Sequence, residues 1–459
     1  MVAILLASLQ LPAWASDPAA APVPDGSAEH PSGGSSSAEG GGAAPPATPP
    51  LPPATAPSVD ARVDALQARV DELEALLVLG APAPAAPAPP AGGAPGATGS
   101  TAAGQGRLFQ SMNPDLSFIA DVAAAHFSSG ADNRQTGGHD PTANGFNLQQ
   151  LELAVSSIVD PYFRFDSNLV FSLFGVEIEE VYGTTLGLPL RGQVRVGQFL
   201  TKFGRVNATH PHSWDFVDQP FAIGRVFGGE GNRGLGVEGS VLLPLPWFTE
   251  VIVSQTVAGG EATARSFYGA QDLGVSRPTD LQTTAVIEQF FPVSADLGLL
   301  WGLSYAGGPN PTGATNRSEV YGTDVFFRFR PVTRGSNLEL DVSTEWLHRR
   351  RQVPGDVLAD WNGLSSVVVH FSPRWAVAAR HELGTAARGL DGALADDPLD
   401  PEWSALRQRV SSNLTFWPTE FSRLRLQGAR DAAGWDRTPD WSAFLAVEFV
   451  TGAHGAHHF

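Results

Sequence analysis

The sequence predicts an all-β fold, a transmembrane antiparallel β-barrel of about 16 strands, with 14 or 18 strands as the alternatives. Apolar and polar residues alternate with a period of two in segment after segment beyond residue 113. Short, proline-bearing turns alternate with longer loops rich in Gly, Asp and Asn, which is typical of an outer-membrane barrel. Aromatic residues cluster at the short-turn ends, where a girdle at the lipid interface is expected.

The composition argues against several other classes of protein. The 459 residues include no cysteine, which excludes disulfide frameworks, thiolate zinc sites and cysteine nucleophiles. The net charge of −18 argues against a nucleic-acid partner, because that affinity comes mainly from Lys and Arg on phosphates. No Gly-x-Ser-x-Gly elbow or His-Glu-x-x-His helix is present, so no enzyme is predicted. A catalytic group formed by His210, Ser213 and Asp215 is the weaker alternative.

The residues before 113 are predicted to lie outside the barrel. Residues 1–15 end in Ala13-Trp14-Ala15, a small-x-small pattern that predicts a signal peptide and export. Residues 16–57 and 81–112 are rich in Pro, Ala and Gly, and they are predicted to be disordered periplasmic linkers. Between them, 58–80 spaces its apolar residues alternately four and three apart, which predicts a short coiled coil or, alternatively, an amphipathic helix in a tether.

The alternation is clearest in 162–173, where Phe163, Phe165 and Phe171 alternate with Arg164 and Asp166. The predicted strands cover 115–127, 146–159, 162–173, 176–186, 191–201, 234–243, 247–257, 281–291, 295–306, 319–330, 337–348, 362–372, 374–384, 403–416, 420–430 and 440–450. The predicted longer loops are 128–145, 202–233, 258–280, 307–318, 349–361, 385–402 and 431–439. The loop pattern favours a membrane barrel, residues 113–459, over a soluble sandwich with the same alternation.

The polar face of such a barrel lines a water-filled lumen, because unpaired polar groups in an apolar core are costly. Acidic and basic residues fall in separate rows, which select ions by sign or, alternatively, pair with each other. Residues 113–459 retain 12 of the 18 net negative charges, so a mild cation preference is expected. The predicted pore-lining charges are Arg164, Asp166, Glu177, Glu179, Arg195, Asp324, Arg328, Glu339, Asp341, Glu345, Arg407, Arg409, Arg423 and Arg425.

The longest predicted loop, 202–233, contains five aromatic residues and is expected to fold inward or to pack on the rim. Its imidazole and carboxylate groups are of the types that bind zinc, with rim packing and hydrogen bonding as the alternative. The C-terminal tail adds histidines, a weak compositional signal for metal. The candidate metal ligands, for Zn²⁺ as the one possible cofactor, are His210, His212, Asp215, Asp218, His454, His457 and His458.

Two stretches of the chain resemble a known family. Phe203-Gly204-Arg205, His210-Pro211-His212, the segment 216–220 and the tail 452–459 are similar to a proteobacterial family known as zinc-regulated TonB-dependent outer-membrane receptors. The succession of Glu179-Glu180-Val181-Tyr182 and Gly197-Gln198-Phe199 resembles porins more loosely. The first resemblance implies zinc-responsive uptake involving His210, His212 and the tail histidines. Such receptors have about 22 strands and a plug, whereas this N-terminal tract is too rich in Pro and Ala to fold as one.

These observations predict a porin-like channel for passive or loop-gated passage of small hydrophilic solutes or ions, and the family resemblance adds an expected link to zinc or metal uptake. The alternatives are a TonB-dependent metal receptor and a structural or adhesive anchor. Expected partners are outer-membrane lipid, further copies of the chain in a homotrimer, and the barrel-insertion machinery, which reads a C-terminal aromatic residue such as Phe459. The expected location is the bacterial outer membrane, with the N-terminal tract in the periplasm.

Overall fold

The computed structural model describes residues 114–172, 175–259, 262–268, 274–331 and 337–452. The predicted signal peptide, linkers and coiled coil, the tail histidines and Phe459 lie outside them. The described chain forms a closed barrel of sixteen antiparallel strands, each paired with its neighbours in sequence. Strands β1 and β16 close the barrel from Ser117↔Gly452 to Phe127↔Ser442. The fold class and the number of strands are therefore confirmed.

The strands are β1 (Asp115–Phe127), β2 (Gly145–Asp160), β3 (Phe163–Ser172), β4 (Gly175–Thr185), β5 (Gly192–Leu200), β6 (Arg233–Leu242), β7 (Phe248–Thr256), β8 (Gln282–Pro292), β9 (Leu297–Pro309), β10 (Arg317–Phe329), β11 (Glu339–Val353), β12 (Asp356–Ser372), β13 (Trp375–Gly384), β14 (Arg407–Thr419), β15 (Ser422–Ala433) and β16 (Asp440–Gly452). One α-helix, α1 (Phe221–Phe227), lies between β5 and β6. No helix of the described residues is long and apolar enough to cross a membrane.

The prediction of a long loop at 349–361 is wrong. Strands β11 and β12 continue through this segment and are joined by a two-residue turn, Pro354-Gly355, in which Gly355 has a φ of 84° that favours glycine. The alternation that would have revealed these strands is hidden, because their inward side chains, Arg349, Arg351 and Asp360, are charged and polar residues also occur on the outward face.

The barrel is polar inside and apolar outside, the reverse of a soluble protein. On β14 and β15, Arg409 and Arg425 are each 2% exposed and face inward, whereas Val410 and Leu426 are 54% and 58% exposed. Aromatic residues are exposed at the short-turn ends. These are Trp247, Phe248, Phe290, Trp375 and Phe421. An outward apolar band bordered by aromatic residues is the surface of a barrel that faces lipid.

Contact of the outward face with lipid can be tested by introducing an arginine at two positions of β15. We expect Leu426→Arg, near the middle of the strand, to destabilise the barrel by about 2–4 kcal/mol, because arginine is placed at the bilayer midplane. Ala432→Arg, on the same face near the strand end, should cost only about 0–1 kcal/mol. Equilibrium unfolding in lipid vesicles measures both values. Equal costs at the two positions would contradict a lipid-facing surface.

Candidate functional site

Residues 201–232 connect β5 to β6 and lie across the interior of the barrel; we call them the lumen loop. On one side the ring of His210 contacts Glu179 of β4, with 3.2 Å between Nδ1 and Oε2. On the other side Arg423 of β15 donates to the carbonyl oxygen of Trp214 at 2.9 Å. Because it bonds to strands on both sides, the loop lies in the lumen and divides it. The sequence left folding inward and packing on the rim as alternatives, and this geometry decides for the first.

The lumen loop first meets the wall at β9 and β11. The amide of Gly204 donates to Ser304 Oγ at 2.9 Å, and the amides of Arg205 and Val206 donate to Glu345 Oε2 at 3.1 Å. Gly204 has a φ of 57°, and a Cβ at this position would overlap the Glu345 carboxylate. Glycine is therefore favoured there. The predicted pore-lining residue Glu345 accepts hydrogen bonds from the loop and so fixes its backbone.

A cluster of histidines and glutamates attaches the loop to β2 and β4. His210 Nε2 lies 2.9 Å from Glu180 Oε2, and His212 Nδ1 lies 2.9 Å from Glu152 Oε2. The two imidazole rings stack in parallel, with centroids 5.7 Å apart. Burial opposes protonation of His210, but Glu179, Glu180 and Glu152 raise its pKa well above the ordinary value. The protonated imidazolium is thus the form that the surrounding carboxylates favour.

A β-bulge makes this cluster possible. In the pairing of β3 with β4, Asn168 opposes Glu180 and Leu169 opposes Ile178, so Glu179 is an extra residue. Consecutive strand residues normally point to opposite faces, but a bulge re-aims one of them. Both Glu179 and Glu180 therefore reach the same histidine.

An arginine-rich wall on β13 to β15 holds the other side of the loop. Arg380 and Arg409 contact the two carboxylate oxygens of Asp218 at 2.7 Å and 2.9 Å. Arg425 donates to the carbonyl oxygen of Phe216 at 2.8 Å, and Glu382 accepts the amide of Phe221 at 2.6 Å. Although burial disfavours its charge, the two arginines lower the pKa of Asp218. The basic row is therefore neutralised largely by the loop itself and by acidic neighbours.

Helix α1 packs its apolar side chains against the inner wall at β9 to β12. The buried cluster includes Phe203, Ile223, Val226 and Phe227 of the loop, and the rings of Phe203 and Phe227 meet edge to face at 4.9 Å. Inward side chains of the strands complete it: Ala306, Val320, Leu347 and Leu364. Burial of this apolar surface gives the loop a small core of its own inside an otherwise polar barrel.

A buried ionic network lies beside this core at the long-loop end of the barrel. Arg225 of α1 is fully buried and donates to Asp400 Oδ2 at 2.7 Å and to Asn362 Oδ1 at 3.0 Å. Arg349 contacts the same Asp400 oxygen at 3.0 Å and Asp360 at 3.0 Å. The helix is thus bonded to β11, β12 and the loop before β14 at once.

Removing Arg225 leaves the buried carboxylates of that network without one of their cationic partners. We expect Arg225→Ala to lower the free energy of unfolding by about 3–5 kcal/mol, the usual cost of breaking a buried ion pair. Arg164→Ala removes an arginine whose side chain is 44% exposed and should cost less than about 1 kcal/mol. Denaturant unfolding followed by tryptophan fluorescence compares them. Equal losses would show that the network contributes nothing beyond a surface pair.

Part of the interior stays accessible to water. Asp215 of the lumen loop is exposed, although Asn413 of β14 donates to its backbone carbonyl oxygen at 2.6 Å. Arg205, Arg423 and Asp341 lie close enough to Asp215 to interact electrostatically. The exposed part of the lumen beside the loop is therefore lined by charges of both signs.

The structure places most of the remaining predicted charges in ion pairs, some between strands and one within β3. Arg328 contacts Asp341 at 2.7 Å and Glu339 at 3.2 Å, and Arg164 contacts Asp166 at 2.8 Å. The other predicted charges pair as follows: Arg195 with Glu238, Glu177 with Arg233, Arg407 with Asp431, and Arg423 with Glu448, while Asp324 interacts with Glu288 and Lys202. Of the candidate zinc ligands within the described residues, Asp218 belongs to the arginine wall, whereas His210 and His212 lie on the opposite side.

Sequence reasoning missed the partners of the two histidines. Glu179 was predicted to line the pore and Glu180 was named only in the porin-like motif. Glu152 was not singled out, and neither were His139 and Glu230, which lie 3.3 Å apart beside the same cluster. One local signal was available, because a pair of glycines precedes both His139 and Glu230. Paired glycines allow two backbone segments to approach closely, and the 137–139 and 228–230 segments meet in this way.

A closed, sixteen-stranded antiparallel barrel with an apolar outer face, a charged interior and a long loop across its lumen defines the class of outer-membrane β-barrels. The chain belongs to the same family as an uncharacterized protein of Aquifex aeolicus (strain VF5). The two are 31% identical over 358 residues, which cover 70% of this chain and 73% of the relative.

One solved structure supports this fold, and a second is similar to the chain at a lower score. The outer-membrane channel DcaP of Acinetobacter baumannii aligns with a TM-score of 0.53 at 14% identity, over 74% of this chain and 97% of that protein. A loop-deletion mutant of OmpT, an outer-membrane protein of Vibrio cholerae, aligns with a TM-score of 0.48 at 11% identity, over 74% and 100%. No protein-family model matches the chain, and the resemblance to zinc-regulated receptors stays a prediction.

Proposed function

We propose that this protein is a passive, porin-like channel of the bacterial outer membrane, in which the lumen loop narrows the path for small hydrophilic solutes and ions. The observation that carries the proposal is the position of the loop, which bonds to both walls and leaves Asp215 exposed between them. A barrel that served only as an anchor would have no use for a polar interior with a fixed constriction.

The fixed attachment of the loop supports passive passage over gating. Its backbone or side chains bond to β2, β4, β9, β11, β12, β13, β14 and β15. Moving the loop as a gate would break many of these bonds together. Energised uptake by a TonB-dependent receptor has less support, because such receptors use a barrel of about 22 strands around a plug, and this barrel has sixteen.

Lipid and further copies of the chain are the proposed partners. The outward apolar band fits the outer membrane, and assembly as a homotrimer is proposed with it. The two faces of a channel subunit have separate tasks here, since the outer face contacts lipid and neighbours while the inner face contacts solute. Chemical cross-linking in native membranes measures the number of subunits.

Reconstitution into planar bilayers tests the channel. The expected result is stepwise, ohmic conductance from purified full-length protein, with a reversal potential in a salt gradient that shows a mild preference for cations. Protein denatured by boiling serves as the control. Repeated insertion of folded barrels without conductance would overturn the proposal and favour a structural anchor, and a current carried by anions would overturn the charge preference alone.

A further inference from the structure

A small cavity lies where the loop between β1 and β2, strand β4 and the end of the lumen loop meet. Its volume is about 20 Å³, and three of the residues that line it are His139, Glu179 and Glu230. A water-sized particle needs at least about 10–15 Å³ of such space. The cavity therefore has room for a single water molecule or a single ion, and its polar lining contains an imidazole and two carboxylates.

The three side chains are arranged around one point. One ligand atom from each lies within 4.8 Å of the other two, and His139 Nε2 is 3.3 Å from Glu230 Oε2. Bonds of about 2.1 Å in a tetrahedral zinc site place neighbouring ligand atoms about 3.4 Å apart. The separation of the imidazole nitrogen and the carboxylate oxygen already has this value, so an ion fits between them with small side-chain movements.

Two of these atoms contact each other but lack a hydrogen bond within the described part of the structure. His139 Nε2 and Glu230 Oε2 are buried and neither makes a hydrogen bond there. The side chains of His139 and Glu230 are 10% and 7% exposed. Apart from His139 itself, the nearest cationic group is Arg233, whose Nη1 is 3.8 Å from Glu230 Oε2, which is longer than a hydrogen bond. Buried polar atoms that face one another without a hydrogen bond indicate that something else completes their contacts.

The backbone around the cavity is built for close approach. Gly138 donates to the carbonyl oxygen of Gly229 at 3.1 Å, which places His139 and Glu230 side by side. A Cβ on Gly138 would overlap the Glu230 carboxylate. Gln149, the extra residue of a bulge in β2, donates to the carbonyl oxygen of His139 at 3.0 Å and so attaches that segment to β2. Both partners of the pair are therefore held in position by the fold.

We propose that this cavity is a site for a divalent transition-metal ion of the Zn²⁺ class, with His139, Glu179 and Glu230 as its protein ligands and water in the fourth position. One imidazole and two carboxylates form a mixed nitrogen and oxygen donor set of the kind that binds such ions. The ion joins three elements that are far apart in sequence. It therefore fixes the β1–β2 loop and the lumen loop to the barrel wall.

A second group with similar spacing, Glu152, Glu179 and His210, lies beside the cavity. Both ring nitrogens of His210 already face carboxylates, at 3.2 Å and 2.9 Å. In this group the imidazole is satisfied by the protein, so it positions Glu179 instead of binding the ion. The proposed ligands thus differ from the set predicted from sequence. The proposal also holds whether or not the barrel conducts, because binding is measured without any current.

The test measures bound metal in the folded full-length barrel. All variants carry His454→Ala, His457→Ala and His458→Ala, so that the tail does not bind the probe. After removal of metal with EDTA and dialysis, Zn²⁺ is titrated by calorimetry and counted by elemental analysis. We expect one equivalent per chain, and an affinity at least about 100-fold weaker in His139→Ala and in Glu230→Gln, since loss of a ligand exceeds the cost of losing an outer-shell partner. His126→Ala, which removes an exposed histidine on β1, is the matched control and should bind as tightly as the background.

The folded state of each variant is checked by its mobility on unheated gels. Glu230→Gln keeps the size of the side chain, so this variant tests the carboxylate even if His139→Ala fails to fold. Gly138→Ala should also weaken binding, because it displaces the Glu230 carboxylate without removing a ligand. Absence of a stoichiometric ion, or equal binding by Glu230→Gln and the background, would overturn the proposal. Loss of binding in His210→Ala with full binding in His139→Ala would assign the ion to the neighbouring group instead.

Discussion

Replacing residues 205–229 of the lumen loop with a short Gly-Ser linker is expected to raise the single-channel conductance several-fold. The segment removed contains α1, the apolar cluster around Phe227 and the contacts to both walls. The barrel should still fold, because its inward arginines and glutamates then face water instead of being left buried and unpaired. Planar-bilayer recordings of the variant and the wild type at equal salt measure the effect.

The matched control replaces the rim loop 311–315, between β9 and β10, with a linker of equal length. Thr312 of this loop bonds only to the adjoining Asn310 and Asn316 and to Gln352 of β11 among the described residues, so replacing the loop should leave the conductance unchanged. A folded lumen-loop variant that conducts like the wild type would show that the narrowest part of the path lies elsewhere. A closed channel would contradict the proposal more strongly, because it would make the loop necessary for passage.

A single cysteine can report which surface of the barrel faces water. The chain contains no cysteine, so Asp215→Cys creates a unique thiol at an exposed position of the lumen loop. We expect a charged, water-soluble thiosulfonate reagent to modify it in intact vesicles and to block most of the conductance, because the adduct stands in the proposed path. The rate of modification and the residual current are the two measurements.

Leu414→Cys is the control at the same depth. Asn413 of β14 holds the backbone of Asp215, and the next residue of that strand points to the opposite face, where Leu414 is 38% exposed. A thiol against lipid stays protonated and shielded, so no modification and no block are expected. Reaction at Leu414→Cys but not at Asp215→Cys would reverse the assignment of inside and outside.

The barrel could be predicted from the sequence because each strand repeats the same local pattern. Alternation such as that of Phe163, Arg164 and Phe165 needs no distant partner to be recognised, and the alternating loop lengths set the order of the strands. Where both faces of a strand carry polar residues, as around Arg349 and Asp360, the pattern disappears and the prediction fails.

The candidate site was harder to predict because its contacts join distant parts of the chain. His210 was recognised as a chemically interesting residue, but its partners lie 30 and 31 positions earlier in sequence. The bulge that turns both Glu179 and Glu180 inward breaks the period-two rule on which the facing of each residue was predicted. Asp218 was assigned to the histidines by nearness in sequence, although the fold places it on the arginine wall.

The sequence by itself determined the class of fold, an approximate number of strands, the polarity of each face and the unusual composition of the loop before β6, since all of these depend on periodicity and composition along the chain. The tertiary structure alone decided which charges neutralise one another, how the lumen loop is attached, and which imidazole meets two carboxylates at a cavity. The physical reason is distance: ion pairs, bulges and cavities depend on separations of a few ångströms between residues that the sequence keeps far apart.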